Sequence, residues 1–241
     1  MWLKPSLIIL KNLPKLSAEL NSLATIPVIA IDGPSASGKG TVAQLVADKL
    51  GFHYLDSGAL YRIVALAAQQ QKINWDSAEA LGTLAKTLNI RFKEGEIYLN
   101  DARITELVRT EEIGRGASEV AIHPQVRAAL LDLQHSFRQL PGLVADGRDM
   151  ASVVFSDAKL KIFLTASVEA RAERRYKQLK NKGLNADYDK ILTDLQQRDC
   201  RDSARSASPL IQSLNALLLD TSQRDIQQAV GFVLNAYKKL S

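Results

Sequence analysis

The apolar run V-I-A-I at positions 28–31 leads directly into G-P-S-A-S-G-K-G-T at 33–41. A buried strand, a glycine-rich turn and a helix start in that order predict a phosphate-binding loop. Gly33 and Gly38 let the backbone curl, so that N–H groups along Pro34, Ser35, Ala36 and Ser37 point at phosphate oxygens. Lys39 reaches the terminal phosphates as a point charge. The helix that starts there turns the positive end of its dipole toward the same anions. Together these features imply a nucleoside triphosphate as ligand. The usual loop carries Ser or Thr immediately after the lysine, as a magnesium ligand. Gly40 holds that position here and Thr41 follows. The G-K-G-T ending weakens the case for a hydroxyl-ligated metal.

The chain has 241 residues, enough for a full core as one large domain or as a domain with an insert. Its apolar share of 46% and charged share of 24% are ordinary for a globular protein. The net charge of +5 admits nucleic acid and equally suits a pocket for several phosphates. The single cysteine, Cys200, excludes an internal disulfide and points to a reducing, cytoplasmic location. No apolar run approaches the length of a membrane span. In residues 1–25, Leu13, Leu16, Leu20 and Leu23 recur at helical spacing. The preferred expectation for that segment is a loosely ordered extension.

Five short apolar runs are expected as strands: 28–31, 52–55, 143–146, 161–165 and 216–220. With helical stretches between them they predict an α/β fold, a three-layer α/β/α arrangement on a five-stranded parallel sheet. A helix over 39–50 buries Val42, Leu45, Val46 and Leu50. The last helix is expected to start near Ser222, with Asp225 in a capping box. Ile226, Ala229, Val230 and Val233 form its apolar stripe. Between about 60 and 140 the rhythm changes. Helices over 76–87, 111–120 and 124–138 flank short alternating strands around Gly95 and Asn100, which predicts an insert carrying a small antiparallel sheet.

Outside the loop, chemistry concentrates in four places. Asp146 ends a predicted strand, where a carboxylate can organise magnesium directly or through water, and Arg148 and Asp149 follow in the same turn. L-D-S-G-A-L-Y-R at 55–62 offers Ser57 as a helix cap and Arg62 on the helix behind it. Residues 167–205 carry Arg171, Arg174, Arg175, Lys177, Lys180, Lys182, Arg198, Arg201 and Arg205, most of them without an acid four residues away. Arg198, Asp202 and Arg205 share a helix face, as a salt-bridge ladder or an anion clamp. His53, His123 and His135 share no metal-ligand spacing and are expected to be structural. Trp75 and Trp2 form no stacking platform for single-stranded nucleic acid.

The ordered set G-P-S-A-S-G-K-G-T, L-D-S-G-A-L-Y-R, A-D-G-R-D-M, R-A-E-R-R and R-D-C-R-D-S-A-R-S-A-S-P-L resembles bacterial-type cytidylate kinases, a family of P-loop nucleoside monophosphate kinases. The resemblance spans roughly 26–238. It implies phosphoryl transfer from ATP to CMP and dCMP, with magnesium accompanying ATP. It implies a kinase domain over 26–241, with a CMP-binding insert at about 60–140 and a mobile lid at about 167–190. Residues 33–41 with Arg171, Arg174 and Arg175 would hold ATP. Ser57, Tyr61, Arg62, Ser118, Arg127, Arg148, Asp149, Arg198, Asp202 and Arg205 would hold CMP. Of these, Ser118, Arg127 and Asp149 would read the cytosine edge, and Arg198 and Asp202 would face the sugar. Lys39, Arg148, Arg174 and Arg205 would neutralise the transferred charge. Ala151, Ser152 and Ser156 depart from the usual pattern, as does the extension before the first strand. A monomer is expected, without membrane or nucleic-acid partners. A kinase for UMP or AMP is the nearest alternative, and a basic nucleic-acid-binding P-loop protein is a more distant one.

Overall fold

The computed structural model describes residues 26–93, 95–181, 183–205 and 208–240, so the leucine pattern of 13–23 lies outside the described residues. In chain order the first elements are β1 (Val28–Asp32), α1 (Lys39–Leu50), β2 (His53–Asp56), α2 (Ser57–Gln70) and α3 (Ala78–Thr87). Next come β3 (Ile90–Lys93), β4 (Glu96–Leu99), β5 (Ala102–Arg103), α4 (Thr105–Val108), α5 (Glu111–Val120) and α6 (Pro124–Ser136). The remainder is β6 (Leu143–Gly147), a π-helical turn over Met150–Val154, β7 (Leu160–Thr165), α7 (Val168–Asn181), α8 (Tyr188–Ala204), β8 (Leu217–Asp220) and α9 (Ile226–Lys238).

The strands β2, β6, β1, β7 and β8 form one parallel sheet in that order. Its two central neighbours, β1 and β6, are buried along their whole length. Such strands must be apolar on both faces, which is why they read as continuous runs. Within β1, Val28 and Ala30 pack to one side, while Ile29 and Ile31 pack to the other. The second side is closed by Val42, Val46 and Ala47 of α1 and by Ala229, Val230 and Val233 of α9. The first is closed by Leu60, Ile63 and Val64 of α2, and beyond them by the insert. Full burial of one such aliphatic side chain contributes about 1.5–3 kcal/mol.

The insert lies between β2 and β6 and carries the antiparallel sheet β3-β4-β5. Its helix α5 stands close to α2 because Gly116 faces Trp75: a Cβ there would lie 2.5 Å from the indole. The Trp75 ring is fixed by its N–H, which donates to the Ala65 carbonyl at 3.0 Å. His123 bonds the Trp75 carbonyl, His135 that of Val154 and His53 that of Leu140, so each histidine bonds a backbone carbonyl, consistent with structural use.

Three local expectations are corrected. Asp56, not Ser57, caps α2, accepting from the Ala59 N–H at 3.0 Å, and Ser57 is the first helical residue. α9 starts at Ile226 instead of Ser222: Asp225 is itself the cap, with Gln228 completing the box. Ile226, at the helix end, is about half exposed and falls outside the buried stripe. Three of the cations of 167–205 that lack an acid four residues away find acids on other elements. Arg171 pairs with Asp199, Arg175 with Glu111, and Arg201 with Glu119 at 3.8 Å.

Candidate active site

The loops that follow β1 and β6 and the junction of β2 with α2 lie at the carboxyl edge of the sheet, where α/β folds place their ligands. The loop after β1 passes so close to β7 that a Cβ on Gly33 would lie 1.9 Å from the Leu164 carbonyl oxygen. Gly38, at φ 90°, is the cap of α1. Ser37 closes the turn by donating to the Pro34 carbonyl at 2.9 Å. Residues Ser35–Val42 line a cavity of about 1760 Å³. Arg174 and Arg175 of α7, Arg62, Arg198 and Arg224 line it as well. Arg174 is held at the loop: it donates to the Ser37 carbonyl at 3.2 Å and to both the hydroxyl and the carbonyl of Thr221.

Lys39 lines this cavity, and the buried Asp146 carboxylate acts on it electrostatically. Burial and the nearby Arg148 push the Lys39 ammonium below its ordinary range, partly offset by Asp146 and Asp56. Burial and Asp56 push the Asp146 carboxyl up, with Lys39 and Arg148 opposing. Tyr54 donates its hydroxyl to Asp146 Oδ2 at 3.2 Å, and burial beside that carboxylate raises the phenol far above its usual value. A Cβ on Gly40 would lie 3.0 Å from Asp146 Oδ2 and 3.5 Å from the Tyr54 hydroxyl. A side chain after Lys39 would therefore crowd these two groups. The Tyr54–Asp146 pair occupies that space.

Behind the cavity wall lies a buried polar network centred on Asp202, whose side chain is fully enclosed. It accepts from Arg148 Nε at 2.8 Å, from Arg205, and from the Ser118 hydroxyl at 3.4 Å. Burial works against this carboxylate, but Arg148, Arg205 and Arg198 outweigh it and hold the group below its usual range. Arg127 and Asp149 form a second buried pair, and the Arg127 guanidinium stands 5.7 Å from the centre of the Tyr61 ring. Arg62 donates to the carbonyls of Val108 at 2.8 Å and Thr110 at 3.2 Å. Arg198 makes no close ion pair among the described residues, though Asp202 lies near enough to act on its charge. Its Nε has no hydrogen-bond partner among the described residues, and burial together with Arg148 pushes its guanidinium down to about 9. Asp202 offsets that shift only in part, and a planar guanidinium with a free edge is suited to an anion.

The predicted acceptor residues Tyr61, Ser118, Arg127, Arg148, Asp149, Asp202 and Arg205 thus form two linked buried groups, with Arg62 and Arg198 at the cavity. Ser57 is buried at the start of α2, and its hydroxyl would lie 3.2 Å from a Cβ on Gly147. Arg205 follows the last residue of α8 instead of continuing it, and still reaches Asp202. Arg171 differs from expectation: it does not line the cavity, and its guanidinium is engaged by Asp199 and by the Ser35 and Ala166 carbonyls.

Several residues escaped the sequence reading. Asp32, at the end of β1, accepts from the Met150 and Ala151 N–H groups, both at 2.8 Å, and so pins the turn carrying Arg148 and Asp149. Its signal, an acid ending a buried strand, is the one that marked Asp146. Asp56 had the same signal at the end of β2. Tyr54, Thr221 and Asp199 carried none, because their roles depend on partners 56 residues away or more, or on another helix.

A profile of the family described as cytidylate kinase matches residues 29–239. The chain is 59% identical over 216 residues to the cytidylate kinase of Polynucleobacter asymbioticus, covering 90% of this chain and 98% of that protein. It is 58% identical to that of Paraburkholderia phymatum, covering 89% and 94%, and 55% identical to that of Burkholderia pseudomallei over the same shares. The match runs through the loop, the Asp202 network and the Arg127–Asp149 pair alike, and the chain belongs to the cytidylate kinase family.

Proposed function

We propose that the chain transfers the γ-phosphoryl group of ATP to CMP or dCMP, giving ADP and CDP or dCDP. A phosphate oxygen of the monophosphate bonds to the γ-phosphorus as the bond to the β–γ bridging oxygen breaks. The attacking oxygen is already an anion, so no base is needed. The protein's work is alignment and charge neutralisation. The observation that carries this reading is the gathering of basic groups about one cavity: Lys39, Arg174 and Arg175 line it at the loop, Arg62 and Arg198 line it beside them, and Arg148 and Arg205 stand behind Arg198 in the Asp202 network.

In this reading residues 33–41 hold the ATP phosphates, with Arg174 and Arg175 over them. Arg62, Arg148 and Arg205 hold the monophosphate, Arg198 and Asp202 face its sugar, and Tyr61 and Ser57 wall the pocket. Ser118, Arg127 and Asp149 read cytosine: the carboxylate and hydroxyl accept from its amine, and the guanidinium donates to its ring nitrogen and carbonyl. Residues of about 60–140 form the acceptor-binding insert and those of about 167–190 the lid.

Magnesium fits the residues at the loop. Asp146 and Asp56 are carboxylates that oppose each other's charge, and Mg²⁺ is commonly held by one or two carboxylates with substrate phosphates and water. Asp146 would hold it directly or through water, supported by Tyr54. The ion would supply charge neutralisation on the phosphate oxygens. Among the described residues no three His, Cys, Asp or Glu side chains group as a metal site of their own. No helix among them is long and apolar enough to cross a membrane. A monomeric, cytoplasmic enzyme completes the proposal. The test is ADP formation from ATP and Mg²⁺ with CMP, dCMP, UMP and AMP in turn. Turnover with CMP and dCMP well above the others supports the reading, and preference for UMP or AMP would overturn it.

A further inference from the structure

The first three turns of α7 split their arginines. Arg174 and Arg175 line the cavity, while Arg171 is buried behind it at 4% exposure. A guanidinium has five N–H donors. Four of those on Arg171 are engaged within the protein: Nε to the Ala166 carbonyl at 3.0 Å, one to the Ser35 carbonyl at 3.2 Å, and two to Asp199 at 3.0 and 2.5 Å. Little is left for a ligand. The partners are informative. Ser35 belongs to the phosphate-binding loop, Ala166 lies between β7 and α7, and Asp199 belongs to α8. One planar group thus joins the loop to the helix that presents Arg198, next to Asp199 in the chain, and Asp202, one turn further on.

The same helix meets the acceptor side through Asp202, which binds Arg148, Arg205 and Ser118. A continuous set of contacts therefore runs from Ser35 through Arg171 and Asp199 to α8, and from α8 to the residues proposed to hold the monophosphate. An anion that neutralises Arg198 acts on α8 beside Asp199. Phosphates seated in the loop act on the backbone that receives Arg171. Resting on the functional reading above, we propose that Arg171 and Asp199 are a positioning pair that couples the two phosphate subsites, so that filling one tightens the other.

Such coupling is reciprocal, and where it operates it is typically about 5–150-fold. The experiment is calorimetric titration of CMP into wild type and Asp199→Asn, each with and without a saturating non-hydrolysable ATP analogue. Asparagine keeps the shape of the side chain but loses the charge and one of the two acceptor oxygens facing the guanidinium. In wild type the analogue should strengthen CMP binding at least about fivefold. In Asp199→Asn that factor should fall to within about twofold of unity, while each ligand alone binds within about threefold of wild type. Intact single-ligand binding shows that the variant is folded, and a purely structural role would not move the coupling factor. If Asp199→Asn binds neither ligand alone, Arg171→Lys, which keeps the charge and loses the planar fork, takes its place with the same expected result. An unchanged factor in the folded variant, or no coupling in wild type, overturns the proposal. If wild type does not bind CMP, the functional reading falls first. The same titration with whichever monophosphate does bind then still decides the coupling.

Discussion

At the scale of single residues, the site is built by pairing most charges and leaving a few exposed to an incoming anion. Lys39 is held below its ordinary range by burial and by Arg148, so its charge is most favourable once phosphates occupy the loop. Lys39→Ala should lower kcat by about 10²–10³, the cost of removing one electrostatic stabiliser of a developing charge. Steady-state kinetics at saturating ATP measure this, and turnover like wild type would contradict it. Asp149 is nearly fully buried against Arg127, so a base reader at this position has no solvent to compensate a wrong partner. Asp149→Asn should reduce the preference for CMP over UMP, in kcat/KM, by about tenfold, as expected for one mismatched buried hydrogen bond. An unchanged ratio would move base recognition to other residues. Most of these side chains were legible in the sequence because they sit in short motifs. Their partners were not, since Tyr54 and Asp146 or Arg171 and Asp199 meet only after the chain has folded.

At the scale of elements, helix spacing decides how the insert presents its residues. α5 carries Ser118 toward Asp202 and lies against Trp75 through Gly116. Because the indole is tied to Ala65 and the Trp75 carbonyl to His123, the ring cannot retreat from a larger residue. Gly116→Ala should therefore cost about 1–3 kcal/mol of stability by overpacking. It should also raise KM for CMP, since Ser118 rides on the displaced helix. Thermal unfolding and steady-state kinetics check the two effects, and a variant matching wild type in both would show that α5 adjusts freely. The small sheet and the flanking helices were predictable from alternation and turn residues. The start of α9 was not, because Ser222 and Asp225 are both good caps and only the turn geometry around Asp220 and Ser222 chose between them.

At the scale of the whole molecule, Asp32 joins distant parts of the chain, linking the end of β1 to N–H groups near residue 150. Burial raises its carboxyl to about 6, against the pull of those two N–H groups, from an ordinary 3.8. The folded state therefore holds this proton more tightly than the unfolded chain. Its contribution is fully present below about pH 4 and is lost as pH rises through about 6, a span of about 3 kcal/mol. Urea unfolding of wild type and Asp32→Asn between pH 4 and 7 isolates the effect. The stability of wild type relative to the variant should fall across that window and level off above it. A constant difference would mean that Asp32 is ionised throughout.

What the sequence determined by itself was the order of strands and helices, the phosphate-binding loop and the family, because each rests on local spacing or on contiguous motifs. Runs such as V-I-A-I announce strands buried on both faces, and G-P-S-A-S-G-K-G-T carries its own turn geometry. The tertiary structure alone decided which charges pair. Arg171 turned inward to the loop while Arg174 and Arg175 faced the cavity. Gly40 made room for the Tyr54–Asp146 pair. The physical reason is that a salt bridge or a steric exclusion is fixed by distance in space, and residues separated by 28 to 137 positions acquire that distance only when the sheet has brought their strands and helices together.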